Sequence, residues 1–239
     1  RLLDVPAPAK LNLFLHITDR RDDGYHLLQS VFMLIDWCDR LSFEFRPEGH
    51  ISREDLTPGS LPAEDLSVRA ARALQAATGC GHGVHIALEK NLPAEAGMGG
   101  GSSDAATTLI ALNRLWGLGL TRSQLSVIGL ALGADVPFFL RGRNAWVEGV
   151  GEEITPIDLP DAQFWVIKPA AGIETSQIFA SPQLQRSTNA ATMADFAADA
   201  FDFGHNDLQP VAQALCPEVT QALHVLRQAG LNGRMTGSG

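Results

Sequence analysis

The sequence predicts an α+β fold, and three observations carry that expectation. Strand patterns and helix patterns are both present, the strands come early while helices dominate the later part, and no regular β-α-β alternation links them. At 239 residues the chain has the length for one large domain or two moderate ones with a substantial core. A composition of 45% hydrophobic and 19% charged residues is that of an ordinary globular protein.

The elements follow in order. Residues 10–17 alternate as a strand, with Leu11, Leu13 and Leu15 on one face. Asp22-Asp23-Gly24 signals a turn, and residues 31–35 and 39–45 read as further strand. Residues 46–64 are polar with proline and glycine, which predicts a surface loop. Residues 66–77 have helical spacing, and 84–88 form a short strand that leads into a glycine-rich loop. Ala105, Ala106, Leu109, Leu112 and Trp116 then mark one face of a helix that starts at that loop. Thr121 and Gln124 have capping-box spacing for a second helix, which ends near Gly133, and Pro137 pushes Val136 towards extended geometry. Residues 143–148 and 163–168 read as strands, with 149–160 as the joint between two domains, 1–152 and 153–239. Residues 175–179, 190–201, 206–215 and 218–229 read as helices.

The net charge of −9 disfavours a general nucleic-acid or anionic-membrane binder, although a local cradle of amides serves a nucleotide inside an acidic protein. No apolar run reaches the roughly 18 residues of a membrane span. Cys38, Cys80 and Cys216 are scattered, without metal-ligand spacing, which fits a reducing, cytoplasmic setting.

The most telling segment is Pro93-Ala94-Glu95-Ala96-Gly97-Met98-Gly99-Gly100-Gly101-Ser102-Ser103. Glycine tolerates positive φ and close backbone approach, and a helix starting there adds unpaired N–H donors and a positive dipole end. Together these suit a phosphate group; the competing reading is a flexible turn with a helix cap. No lysine follows Gly101, so this is not a Walker loop, and the glycine spacing does not fit the dinucleotide fingerprint.

Phosphoryl transfer also needs a group that handles the acceptor hydroxyl and positive charge near the developing negative charge. Lys10 opens an apolar strand directly after a proline pair, and Asn12 projects from the same face. Asp135 stands between a glycine and an apolar pair, suited to accept a proton from an alcohol. The plainer readings are a solubilising lysine and a turn-capping aspartate. Tyr25 and His26 follow a turn and suit stacking on a flat ring or edge packing. His16, His50, His82, His85, His205 and His224 show no metal-ligand spacing, and Thr236-Gly237-Ser238-Gly239 is a small glycine turn or a loose tail.

Residues 8–13 (Pro-Ala-Lys-Leu-Asn-Leu), the loop 93–103 and Thr236-Gly237-Ser238-Gly239 resemble the three characteristic segments of the GHMP kinase superfamily. Gly24-Tyr25-His26, the run 100–106 and the run 132–137 are most similar to its branch acting on a cytidylylated sugar alcohol in isoprenoid precursor biosynthesis. The resemblance implies a two-domain α+β fold: an N-terminal domain like that of a small-subunit ribosomal protein and a C-terminal α/β domain, with ATP and substrate in the cleft between them. It implies Asp135 and Lys10 as the catalytic pair, the loop 93–103 as the ATP site, and Ser102 or Ser103 beside Mg²⁺. It also implies Tyr25 and His26 at the cytosine end of the substrate, Asn12 near the sugar-alcohol end, and Phe179 at the border of the nucleotide-sugar pocket. Ala94-Glu95-Ala96 departs from the more glycine-rich pattern of some members, and Glu95 must then point outward or be offset by Mg²⁺. Members continue beyond the third segment, so the C-terminal domain is expected to be incomplete here. Alternatives are a homoserine- or mevalonate-type kinase, a non-catalytic nucleotide or metabolite sensor, and an RNA-binding module, the last disfavoured by net acidity and 7% aromatic content. A monomer or weak homodimer is expected.

Overall fold

The computed structural model describes residues 1–59 and 61–238. The chain forms two compact units, each assembled from three stretches. The first contains Arg1–Ala9, Leu34–Leu92 and Gly99–Arg143; the second contains Lys10–Met33, Pro93–Met98 and Asn144–Gly239. Two long strands, β1 (Leu2–Arg20) and β2 (His26–Arg46), contribute residues to both.

In the first unit, β3 (Ile51–Asp55) runs parallel to β4 (Gly83–Glu89), and β4 runs antiparallel to the end of β2, from Arg40 opposite Glu89 to Arg46 opposite Gly83. Leu41 and Phe43 of β2 and Val84, Ile86 and Leu88 of β4 are fully buried, the period-two pattern of a sheet with one covered face. Helices α1 (Leu66–Thr78), α2 (Gly100–Leu115), α3 (Arg122–Leu130) and α4 (Val136–Arg141) complete the unit. Helix α2 packs against α1, α3 and α4, burying Leu109 and Leu112. Each fully buried leucine of this kind contributes about 1.5–3 kcal/mol.

Two sequence expectations change in this unit. Residues 46–64 include a strand, β3, whose composition (Ile-Ser-Arg-Glu-Asp) carries no apolar alternation. Its main chain pairs with β4 on one side only, so its side chains are polar, as on an edge strand. Pro137 does not force extended geometry on Val136. It sits in the first turn of α4, where the missing N–H has no intrahelical acceptor to lose. Helix α3 starts on the expected Thr121–Gln124 capping box and ends at Leu130, slightly before Gly133.

In the second unit, Ser30–Phe32 of β2 pair antiparallel with β5 (Ala145–Glu148), and β5 with β6 (Glu153–Pro156). Helices α5 (Thr175–Ala180), α6 (Met193–Ala198), α7 (Gln209–Leu215) and α8 (Pro217–Gln228) follow. One core joins Leu15 and Ile17 of β1 to Ile178, Leu184, Leu208, Val211 and Met235. A second gathers Phe14, Trp146 and Phe196, with Phe203 edge-on to Phe14 at 5.1 Å between ring centroids. Strand β1 is thus buried on both faces here, not on one.

Residues 163–168 do not form the expected strand; they are irregular, and Trp165 is 80% exposed. Their run of four apolar residues is real, but a strand also needs a partner for its backbone groups, and no ladder forms there among the described residues. The expected joint 149–160 instead holds β6, and α6 is shorter than 190–201, bounded by a Thr192–Asp195 capping box. Among the described residues, no helix is long and apolar enough to cross a membrane.

Candidate active site

The first unit presents the N-terminus of α2. Gly99 takes a left-handed conformation (φ 71°), and no side chain caps the helix. The first amide to bond back is that of Ser103, to Gly99 O at 2.9 Å. The N–H groups of Gly100, Gly101 and Ser102 therefore have no intrahelical acceptor, and they stand at the positive end of a 16-residue helix. The two serines differ sharply: Ser103 is fully buried and its Oγ has no hydrogen-bond partner, whereas Ser102 is only half-buried. A Cβ on Gly133 would lie 3.5 Å from Ser102 Oγ, so the turn leading to Asp135 passes beside this helix start. Asp135 holds the N-cap position of α4, and its side chain makes no capping bond to that helix.

A buried ionic cluster supports the same place, and sequence reasoning missed it. Asp39 is fully buried and accepts from the amides of Asn91 (2.6 Å) and Leu92 (2.8 Å) and from Lys90 Nζ. Lys90 Nζ also donates to Asp104 Oδ2 at 2.8 Å, on the first turns of α2. Asp39 thereby fixes the backbone that enters the glycine-rich loop. One ammonium serves two carboxylates, and the balance falls on Asp104. Burial pushes its carboxyl up to about 7, against the pull of Lys90 and with the push of Asp39. Burial alone would lower the Lys90 ammonium, but the two carboxylates outweigh it and hold it above its usual value.

In the second unit three distant segments meet. Lys10 is buried, as its position in β1 demands; its amide donates to Met98 O at 3.0 Å, and its ammonium donates to Asn12 Oδ1 and lies 4.6 Å from the Phe32 ring centroid. The expected shared face of Lys10 and Asn12 is thus present. Asn12 receives Gly237 N at 3.0 Å and donates through its backbone to Thr236 Oγ1 at 2.9 Å, 224 residues away. Its Nδ2 donates to Ser30 Oγ at 2.9 Å. Asn206, also missed, holds the same segment by donating to Met235 O and Gly237 O.

Gly97 (φ 64°) and Gly237 (φ 57°) press backbone on backbone; a Cβ on Gly97 would lie 2.1 Å from Thr236 O. Glu95 takes a positive φ of 51°, unusual for a non-glycine residue. Its side chain is exposed, with the carboxylate beside Gly172, so the departure at 94–96 does point outward. Pro93 and Ala96 are half-buried and Ala94 is exposed. Gly239 lies outside the described residues.

The second unit also brings His26 and Phe179 together, with ring centroids 4.9 Å apart at 35°. Tyr25 is 63% exposed on the adjoining turn, its amide bonded to Asp23. Arg186 donates through Nε to His26 Nε2 at 3.1 Å. Nothing in the sequence flagged Arg186, because its partner lies 160 residues away.

The family model for the GHMP kinases N terminal domain matches residues 65–143, and that for GHMP kinases C terminal matches 184–239. The chain is 67% identical to a 4-diphosphocytidyl-2-C-methyl-D-erythritol kinase of Paracidovorax citrulli, over all of this chain and 85% of that protein. It is 66% identical to the protein of the same name from Polaromonas naphthalenivorans, over all of this chain and 84% of that one. A crystal structure of 4-(cytidine 5'-diphospho)-2C-methyl-D-erythritol kinase matches with a TM-score of 0.83 at 35% identity, covering 98% of this chain and 86% of that one. A homoserine kinase from Cytophaga hutchinsonii, at 16% identity and TM-score 0.63 over 97% and 81% of the two chains, shares the fold. With both family segments matched and relatives this similar over its whole length, the chain belongs to the GHMP kinase family of ATP-dependent small-molecule kinases.

Proposed function

We propose that this protein transfers the γ-phosphoryl group of ATP to the hydroxyl on carbon 2 of 4-diphosphocytidyl-2-C-methyl-D-erythritol, a step of non-mevalonate isoprenoid precursor biosynthesis in the cytoplasm. The carrying observation is the convergence of Lys10–Asn12, Gly97–Met98 and Thr236–Gly237, held by backbone contacts too close for any side chain on Gly97. Relatives of this name at 67% and 66% identity favour this substrate over those of the homoserine and mevalonate kinases. The matched segments 65–143 and 184–239 support family domains dividing near residue 152, as 1–152 and 153–239.

Each residue has a role in this reading. The amides of Gly100, Gly101 and Ser102 receive phosphate oxygens, and residues 93–99 shape the loop around the nucleotide. Asp135, at the N-cap position of α4, takes the proton of the attacking hydroxyl. Lys10 offsets the negative charge that develops on the same oxygen, and its bond to Asn12 holds the ammonium in place. Asn12 borders the sugar alcohol, and Tyr25, His26 and Phe179 receive the cytosine.

Among the described residues no group of three or more His, Cys, Asp or Glu side chains could hold a metal ion. The donor chemistry nonetheless fits Mg²⁺, which keeps waters and binds phosphate oxygens with one or two protein oxygens. Of the two serines, Ser102 fits that role, because the Ser103 hydroxyl is sealed in the core. Bound there with ATP, Mg²⁺ would neutralise charge on the phosphates.

The test is ADP release with a panel of alcohols: the cytidylylated methylerythritol, homoserine and mevalonate. Turnover on the first alone is expected. Asp135→Asn should keep nucleotide binding and lose roughly 10²–10⁴-fold in kcat, the range for a positioned acid–base group. Near-normal turnover in that variant would remove Asp135 from the mechanism, and nucleotide binding without turnover on any alcohol would favour a sensor.

A further inference from the structure

We infer that Arg186 is the positioning residue of the base pocket: it holds His26 as the neutral ring with its proton on Nδ1, and pins the end of α5 that carries Phe179. The inference rests on the reading of Tyr25, His26 and Phe179 as the base-binding group, and deepens it.

The geometry comes from one guanidinium. Arg186 Nε donates to His26 Nε2 at 3.1 Å, while Nη2 donates to the carbonyls of Phe179 (2.9 Å) and Ser181 (2.8 Å) and Nη1 to Leu184 O (3.1 Å). These acceptors include the residues that end α5, a six-residue helix without a side-chain N-cap bond. A short helix of this kind has little stability of its own, so its placement depends on such ties. The His26 and Phe179 rings are thereby set against each other by a single side chain.

An arginine has five N–H donors, no acceptor, and does not give up its proton. A ring nitrogen that meets it must present a lone pair, so Nε2 is bare and the imidazole proton sits on Nδ1. Protonating Nε2 would set two donors against each other. The charged groups facing the ring are both cationic, and burial first, then Arg186 and Arg20, hold its pKa below the usual histidine value. His26 therefore stays neutral at physiological pH and keeps one N–H donor, at Nδ1, with no protein acceptor among the described residues. A fixed donor favours a ligand edge that accepts. Cytosine has two adjacent acceptors, its carbonyl oxygen and its bare ring nitrogen, whereas uracil carries a hydrogen on that nitrogen. A donor that meets this ring nitrogen would favour a cytidylyl over a uridylyl substrate, as sites built on hydrogen bonds do.

The test uses the full chain, ¹⁵N-labelled, and its long-range ¹H–¹⁵N histidine spectrum at neutral pH. The wild type should show His26 as the Nδ1–H tautomer. Arg186→Gln, whose amide both donates and accepts, should give mixed tautomers and a higher titration midpoint. The same variant should raise KM for the cytidylyl substrate about tenfold, the scale of one lost hydrogen bond to an ordered group, with kcat moved far less and KM for ATP unmoved. Arg186→Lys, with a single cationic donor, should recover most of the tautomer preference but not the full KM, since it cannot span the carbonyls. An Nε2–H tautomer in the wild type, or an unaltered spectrum in Arg186→Gln, overturns the inference. A shifted spectrum with unaltered KM overturns the positioning role, provided His26→Ala does raise KM. If His26→Ala also leaves KM unmoved, the base-pocket reading fails while the hold of Arg186 on the ring stands.

Discussion

Asp104 shows how much a single buried side chain depends on partners that a linear reading does not join. It shares the Lys90 ammonium with Asp39, which already accepts two backbone amides. The Asp104 carboxyl, raised to about 7 by burial, keeps its proton in the folded protein at pH values where the unfolded chain has lost it. Stability from this group is complete below the unfolded value near 3.8 and is lost as pH rises through about 7. Asp104→Asn carries no such proton, so its Tm should fall less than that of the wild type between about pH 4 and 7, each pH unit being worth at most about 1.4 kcal/mol. Parallel Tm curves for the two proteins would mean that Asp104 is ionised throughout. The sequence marks Lys10, Asn12 and Asp135 through their neighbours along the chain, but Asp39, Lys90 and Arg186 have ordinary neighbours. Their significance lies in distance and burial, which only folding creates.

At the scale of elements, the glycine-rich loop was legible because its requirements are local: positive φ, absent side chains, and a helix beginning where the glycines end. The segment that Gly97 packs against was not deducible from spacing; only the family resemblance paired it with the loop. Gly97→Ala places a methyl 2.1 Å from Thr236 O at a φ of 64°, so loop or C-terminal segment has to move. A cost of about 1–3 kcal/mol is expected from the backbone strain alone, read by urea denaturation, together with a loss of kcat/KM of at least tenfold. Wild-type stability and activity in this variant would show that the contact between loop and C-terminal turn is dispensable. The missed elements fail for an opposite reason. Strand β3 has no apolar pattern because pairing of its main chain, not burial of its side chains, makes it a strand. Residues 163–168 have the pattern but lack the pairing. Pro137 illustrates position dependence: two residues further along, where the N–H of Phe139 bonds to Asp135 O, the same ring would remove a helix hydrogen bond.

For the whole molecule, ligand binding and stability are linked, because a nucleotide that binds only the folded chain adds RT ln(1 + [L]/Kd) to its stability. A non-hydrolysable ATP analogue at a hundred times its Kd should therefore stabilise the protein by about 2.7 kcal/mol, read as a rise in Tm. Asp135→Asn should retain that rise, because the amides of α2, not Asp135, receive the phosphates in the proposed function. Loss of the rise in this variant would move Asp135 from proton transfer to nucleotide binding. The amino-acid sequence by itself determined the α+β class, most helices, the phosphate-suited loop and the family, since each is written in short-range periodicity or in contiguous motifs. Tertiary structure alone decided which serine faces solvent, where Glu95 points, which cation fixes the His26 ring, and which carboxyl keeps a proton near neutral pH. The physical reason is that solvation, hydrogen-bond partnership and dielectric surroundings belong to a place in space, and residues far apart in the chain supply that place together.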